Sequence, residues 1–118
     1  MKLKREKWKK KTLKMRLGSV NVGTMTGKGH EIVDMMQRRK LDILCVQETR
    51  WKGSKARMIG NGYKLYYNGK DGKNGVGVIL SEAWVKAVIE VVRVSDRLMK
   101  MRLVIGGMVI SIVCAYAP

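Results

Sequence analysis

The segment Leu41-Asp42-Ile43-Leu44-Cys45-Val46 constrains this chain more tightly than any other. It is a nearly continuous apolar run of strand length, and it stops abruptly in the polar group Gln47-Glu48-Thr49-Arg50. Such a run suits a strand covered on both faces. Upstream, Leu13, Met15 and Leu17 alternate with Lys14 and Arg16, and Val20 and Val22 bracket Asn21, so a strand is expected that leads into Gly23. Between the two, after the break at Gly27-Lys28-Gly29, Ile32, Val33, Met35 and Met36 recur at helical spacing up to Arg39. Strand, helix and strand in that order predict a βαβ unit whose strands are parallel neighbours.

The second half has a different grammar. Tyr63–Tyr67 and Val76–Leu80 flank a glycine-rich stretch, Asn68 to Gly75, which reads as a hairpin loop. Val85 to Val94 is β-branched and strand-like. Met99, Met101, Leu103 and Ile105 alternate with Lys100, Arg102 and Val104. After Gly106-Gly107 the alternation resumes with Met108, Ile110, Ile112 and Cys114, and a two-residue glycine link between alternating runs signals a tight hairpin. The expected fold class is α/β (α+β): a mixed sheet with one face buried and one main helix.

Charge divides the chain. Of the net +16, half falls in the first sixteen residues, where nine basic side chains face only Glu6. Residues 1–12 read as a basic, disordered arm and residues 13–118 as the folded domain. The apolar fraction of 46% is ordinary for a globular chain. The basic balance favours a polyanion, nucleic acid before an anionic membrane surface. No apolar stretch has the length of a membrane span, and the amino terminus is too basic and too poor in apolar residues for a signal peptide. Cys45 and Cys114 lie inside apolar runs and read as reduced core residues of an intracellular protein. The only proline is Pro118, the last residue, which suggests truncation.

One histidine and two separated cysteines exclude zinc sites of the Cys/His kind. His30 reads as an exposed helix-start residue, and Gly27-Lys28-Gly29 lacks the spacing of a phosphate-binding loop. The informative residue is Glu48, placed just past a buried strand, where open sheets collect functional groups. If the first two strands are parallel neighbours, Asn21 and Glu48 emerge side by side. A carboxylate with an amide oxygen is hard-ligand chemistry suited to Mg²⁺ holding a phosphate. On spacing alone the metal reading is the lesser one, because a Glu closing a strand is more often a solvated cap, and Asn21 reads equally as a turn residue.

Several segments together resemble a known family. Val20-Asn21-Val22-Gly23, Asp42 to Thr49, Asn74-Gly75-Val76-Gly77-Val78 and Ala115-Tyr116-Ala117-Pro118 come in the order and rough spacing of the endonuclease/exonuclease/phosphatase superfamily. Gly29 to Met36, Arg50-Trp51-Lys52-Gly53-Ser54 and Ser95-Asp96-Arg97 look like its LINE-type retrotransposon endonucleases, in particular the craniofacial development protein 2-like chains. The resemblance implies the amino-terminal half of a four-layer α/β-sandwich of the DNase I-like type and Mg²⁺-dependent cleavage of DNA, as in AP endonucleases. It implies that Glu48 is the principal metal-binding residue and that Asn21 orders metal and phosphate. Tyr116 would lie against the scissile phosphate, with Arg50, Trp51, Lys52 and Arg97 toward nucleic acid. Gly23 departs from the Asp or Asn of many relatives. The later Asp-x-Asn segment and the final Asp-His pair have no counterpart before Pro118.

These departures lead to the expectation of a fragment inactive by itself, with a non-catalytic basic nucleic-acid-binding fragment or a retroelement remnant as the alternative. A nuclear location follows as an expectation. So does self-association, because the strands at Met99–Ile105 and Met108–Cys114 are expected to present Met, Leu and Ile to water, lacking a second sheet to cover them.

Overall fold

The computed structural model describes residues 14–117, so the basic arm expected over 1–12, and Pro118, lie outside the described residues. Eight strands and two helices follow in order: β1 Leu17–Asn21, α1 Gly29–Arg39, β2 Ile43–Gln47, β3 Gly53–Gly60, β4 Tyr63–Gly69, β5 Val76–Leu80, α2 Glu82–Val85, β6 Val88–Ser95, β7 Leu98–Ile105 and β8 Met108–Ala115. They form a five-stranded sheet of order β1-β2-β5-β4-β3 and a three-stranded sheet of order β6-β7-β8.

The first sheet is mixed. β1 and β2 are parallel, with Asn21 opposite Gln47, and α1 makes the crossover between them, as the βαβ pattern predicts. β5 runs antiparallel to both β2 and β4, and β3 antiparallel to β4. α1 carries Ile32, Val33 and Met36 on its buried face and closes on Lys40 in the left-handed conformation, with Arg38 and Arg39 complementing the helix dipole in its last turn.

Strand alternation sends side chains into two cores. On β2, Leu44 and Val46 join Ile32, Val33, Met36, Leu65, Tyr67 and Ile79 under α1. Ile43 points the other way, with Tyr66, Val78 and Leu80, and meets Met99, Met101, Leu103, Ile112 and Cys114 of the second sheet. That two-sided covering is why β2 and β5 read as unbroken apolar runs. The layers are therefore helix, five-stranded sheet and three-stranded sheet.

This corrects the expectation of an uncovered methionine face. Met99, Met101 and Leu103 are fully buried because the second sheet is present within the chain and turns that face inward. What the second sheet leaves outside is a valine-rich surface: Val92, Val94, Val104, Val109 and Val113 are exposed. The β7–β8 turn is made by Gly106 and Gly107, both at positive φ (+56° and +79°), as a two-residue hairpin of primed type requires. Two elements escaped the sequence reading. β3 is an edge strand of mostly exposed residues, and the run expected as strand from Val85 begins as the short helix α2, with the strand starting at Val88.

Candidate active site at the strand ends

Because β1 and β2 are parallel and in register at Asn21 and Gln47, both chains leave the sheet at one level. Two backbone bonds staple the loop after β1 onto the segment after β2: Val22 N–H to the Gln47 carbonyl at 2.9 Å and Met25 N–H to the Thr49 carbonyl at 3.0 Å. Glu48 and Arg50 flank the wholly buried Thr49 and both hold left-handed backbone, φ +59° and +56°. Side chains pay a steric cost there that persists only where the surroundings impose the conformation. The surroundings here are backbone bonds from Thr49 N–H to the Gly75 carbonyl (3.3 Å) and from Arg50 N–H to the Asn74 carbonyl (2.8 Å). Gly75 has φ +107°, and a Cβ on it would stand 2.3 Å from Thr49 Oγ1, so the close approach of the β4–β5 loop depends on glycine.

The second sheet completes the site. Tyr116 follows β8, and its N–H donates to the Arg97 carbonyl at 2.8 Å. Its hydroxyl donates to Glu48 Oε1 at 2.7 Å, joining residues 68 positions apart. The Arg97 guanidinium lies 4.9 Å from the Tyr116 ring centroid, with Nη1 buried and, among the described residues, without a partner. The turn holding Arg97 is itself fixed to the β4–β5 loop: Asn74 Nδ2 donates to Asp96 Oδ2 at 3.0 Å, and Gly75 N–H to the Asp96 carbonyl at 3.1 Å. Arg50 Nη2 stands 3.7 Å from the other Glu48 oxygen.

These contacts set the charge of the site. Hydrogen bonds from Tyr116 and then Asn21, with Arg50 nearby, hold the Glu48 carboxyl below its ordinary range, so it is anionic at neutral pH. The same bond to Glu48, followed by desolvation, pushes the Tyr116 phenol up and keeps it protonated. Asn21 Oδ1 accepts the Gly23 N–H at 2.9 Å, which leaves the amide nitrogen as the donor toward Glu48.

Of the residues singled out from sequence, the structure gathers Asn21, Glu48, Arg50 and Tyr116 about one carboxylate, with Arg97 behind the Tyr116 ring. Trp51 and Lys52 continue outward along the chain. Trp51 is clamped by its Nε1 bond to Thr26 Oγ1 (3.1 Å), an edge contact with Tyr67 (5.3 Å) and Arg57 stacked 4.3 Å from its centroid. His30 is exposed at the start of α1, as expected. Thr49, Asn74 and Asp96, which position the site, were not singled out as site residues. Their signal was only their place in the motifs, since a supporting side chain leaves no periodicity of its own. A groove of 760 Å³ lies elsewhere, between β1 and α1 among Arg16, Arg38, Arg39 and Lys40.

Among the described residues no cluster of three or more His, Cys, Asp or Glu side chains forms. The available donor set is one anionic carboxylate, with the Asn21 oxygen turned to Gly23 N–H and the Tyr116 hydroxyl donating to Glu48. That set fits Mg²⁺, which keeps several waters and is commonly held by one or two carboxylates together with substrate phosphate.

No family model matches the chain, and no curated protein matches it. Solved structures do. An AP endonuclease from Archaeoglobus fulgidus superposes with a TM-score of 0.66 at 24% identity, covering 89% of this chain and 42% of that one. A 3'-5' exonuclease from Neisseria meningitidis gives 0.65 at 17% identity, covering 86% and 41%. An AP endonuclease from Leishmania major gives 0.61 at 18%, covering 83% and 38%. The chain thus spans about two fifths of the length of these structures, and it has the DNase I-like fold over what is the amino-terminal portion of those chains.

Proposed function

We propose that this chain carries the metal- and phosphate-binding part of a Mg²⁺-dependent DNA endonuclease of the LINE-type retroelement kind. The observation that carries the reading is the Tyr116–Glu48 hydrogen bond. It joins two strand ends from different sheets about a single carboxylate, at the place where Asn21 and Arg50 also converge. Glu48 would hold the cation, with Asn21 beside it. Bound Mg²⁺ supplies charge stabilisation to a phosphodiester and its leaving oxygen. Tyr116 orients the carboxylate through its hydroxyl, whose single proton is given to Glu48. Arg50, Lys52 and Arg57 place positive charge along the path outward from Glu48. The Neisseria structure with a product DNA hairpin shows that a protein of this fold binds DNA. The motif Gln47-Glu48-Thr49-Arg50-Trp51 supports the LINE-type assignment, and the basic residues 1–12 support a nuclear location.

A second reading concerns turnover. His30 is the sole histidine, and it sits on the exposed start of α1 instead of among the groups around Glu48. Among the described residues no histidine stands beside the carboxylate, and general-base help of that kind contributes about 10²–10⁴ in rate. These 118 residues by themselves therefore bind DNA with Mg²⁺ and do not cut it. The test is a pair of measurements on the purified chain. Affinity for a short duplex should rise with Mg²⁺ in the wild type and lose that increment in Glu48→Gln. Supercoiled plasmid should stay intact in both. Mg²⁺-independent binding that Glu48→Gln leaves unchanged would overturn the metal assignment, and nicking above the Glu48→Gln control would overturn the second reading.

A further inference from the structure

Cys45 and Cys114 stand on facing strands of different sheets, and each lies just upstream of a site residue: Cys45 three positions before Glu48 on β2, Cys114 two before Tyr116 on β8. β2 and β8 come within 8 Å Cα to Cα. The Cys114 sulfur is fully buried and lies 3.5 Å from the Gly77 carbonyl and 3.9 Å from that of Val46, so it is held against the first sheet. Cys45 packs against the same core cluster that contains Cys114. Both are free thiols. Cys45 is half-buried and opens into a groove of 400 Å³ between the edges of β1 and β8, lined by Leu17, Ser19, Ser111 and Val113. Small oxidants therefore have a path to one sulfur of the pair and not to the other.

We propose that Cys45 and Cys114 are an oxidation site, closed to an intramolecular disulfide by a hydroperoxide, which ties β2 to β8 beneath the Glu48–Tyr116 contact. The chemistry balances in two steps. The Cys45 sulfur, losing its proton, attacks a peroxide oxygen; the O–O bond breaks, and the departing hydroxide takes the proton and leaves as water. The Cys114 sulfur then displaces hydroxide from the Cys45 sulfenic acid, forming the S–S bond, and its own proton leaves with that hydroxide as a second water. Two thiols are oxidised and one peroxide is reduced. The neighbouring Cys114 sulfur, with burial, pushes the Cys45 thiol up, so it is the neutral thiol at neutral pH. A bond here would clamp the two strands that deliver the carboxylate and the phenol, so it fixes their separation without touching either.

The experiment treats the folded full chain with excess hydrogen peroxide, blocks remaining thiols with a maleimide, and measures intact mass and the cross-linked peptides. The expected product is a monomer lacking two hydrogens. No maleimide is added, the peptides containing Cys45 and Cys114 are joined, and dithiothreitol reverses the change. Its Tm should rise by on the order of 10 °C, a shift absent in Cys45→Ser and Cys114→Ser. Maleimide addition at both thiols after treatment would overturn the proposal. So would over-oxidation of Cys45 with Cys114 left free, or disulfides formed only between chains. None of these outcomes depends on metal or DNA, so the proposal stands or falls apart from the endonuclease reading.

Discussion

Glu48 is asked to do two things that conflict. Its carboxylate must face Tyr116, Asn21 and Arg50, and its backbone must sit at φ +59°, where a Cβ is crowded. Replacing it separates the two demands. On the proposed function Glu48→Gly and Glu48→Ala should both lack Mg²⁺-dependent DNA affinity, yet the glycine variant should melt higher than the alanine variant by roughly 5 °C, because only alanine retains the steric cost. Equal melting temperatures would show that the neighbouring backbone relaxes. Tyr116 offers an independent reading of the same contact. Its phenol is raised by the bond to Glu48, so its contribution to stability is complete below the ordinary tyrosine range near pH 10 and is lost as pH rises through the higher folded value. The carboxyl of Glu48 is lowered, so its contribution is present above the ordinary carboxylate range and lost as pH falls through the folded value. In absorbance titration, the component missing from Tyr116→Phe should titrate above the ordinary range in the wild type and move down in Glu48→Gln.

At the scale of elements, the hinge of the design is the contact between the β4–β5 loop and Thr49. Gly75→Ala places a methyl 2.3 Å from Thr49 Oγ1 at φ +107°, and should cost roughly 2–3 kcal/mol in denaturant unfolding. In a Thr49→Ala background the cost should shrink, because the clash disappears and only the backbone strain remains; an unchanged cost would locate the whole effect in the backbone. Elements of this kind also show what the sequence displays and what it hides. The βαβ unit and the Gly106-Gly107 hairpin were legible because period and turn chemistry are written along the chain itself. β3 was not, since Gly53–Gly60 buries too little to need an apolar face. Asn21 beside Glu48 followed from two parallel strands, but the bond from Tyr116 to Glu48 did not. Alternation on β8 says which residues point inward and nothing about which strand of the other sheet they meet. The expectation of an exposed methionine face failed for the same reason.

For the whole molecule, the covered methionines move the adhesive surface to the other side of the second sheet. Val92, Val94, Val104, Val109 and Val113 share that outer face with Lys100, Arg102 and Glu90, and among the described residues β8 ends the sheet as an open edge. Apolar faces with an unpaired strand invite association. We expect concentration-dependent self-association in sedimentation velocity, reduced by Val109→Lys with Val113→Lys on β8, while the net charge of +16 opposes it most strongly at low salt. A monomer at every concentration and salt level would refute this. The wide separation of the site residues also has a consequence in time. Asn21 and Glu48 belong to the first two strands of the chain and Tyr116 to the segment after the eighth, so during synthesis the carboxylate waits for almost the whole described chain to be made and for two sheets to dock. Contacts across such separations close late in folding. A nascent or misassembled chain therefore holds the carboxylate without its phenol, and the contact between them arrives only with the docked second sheet.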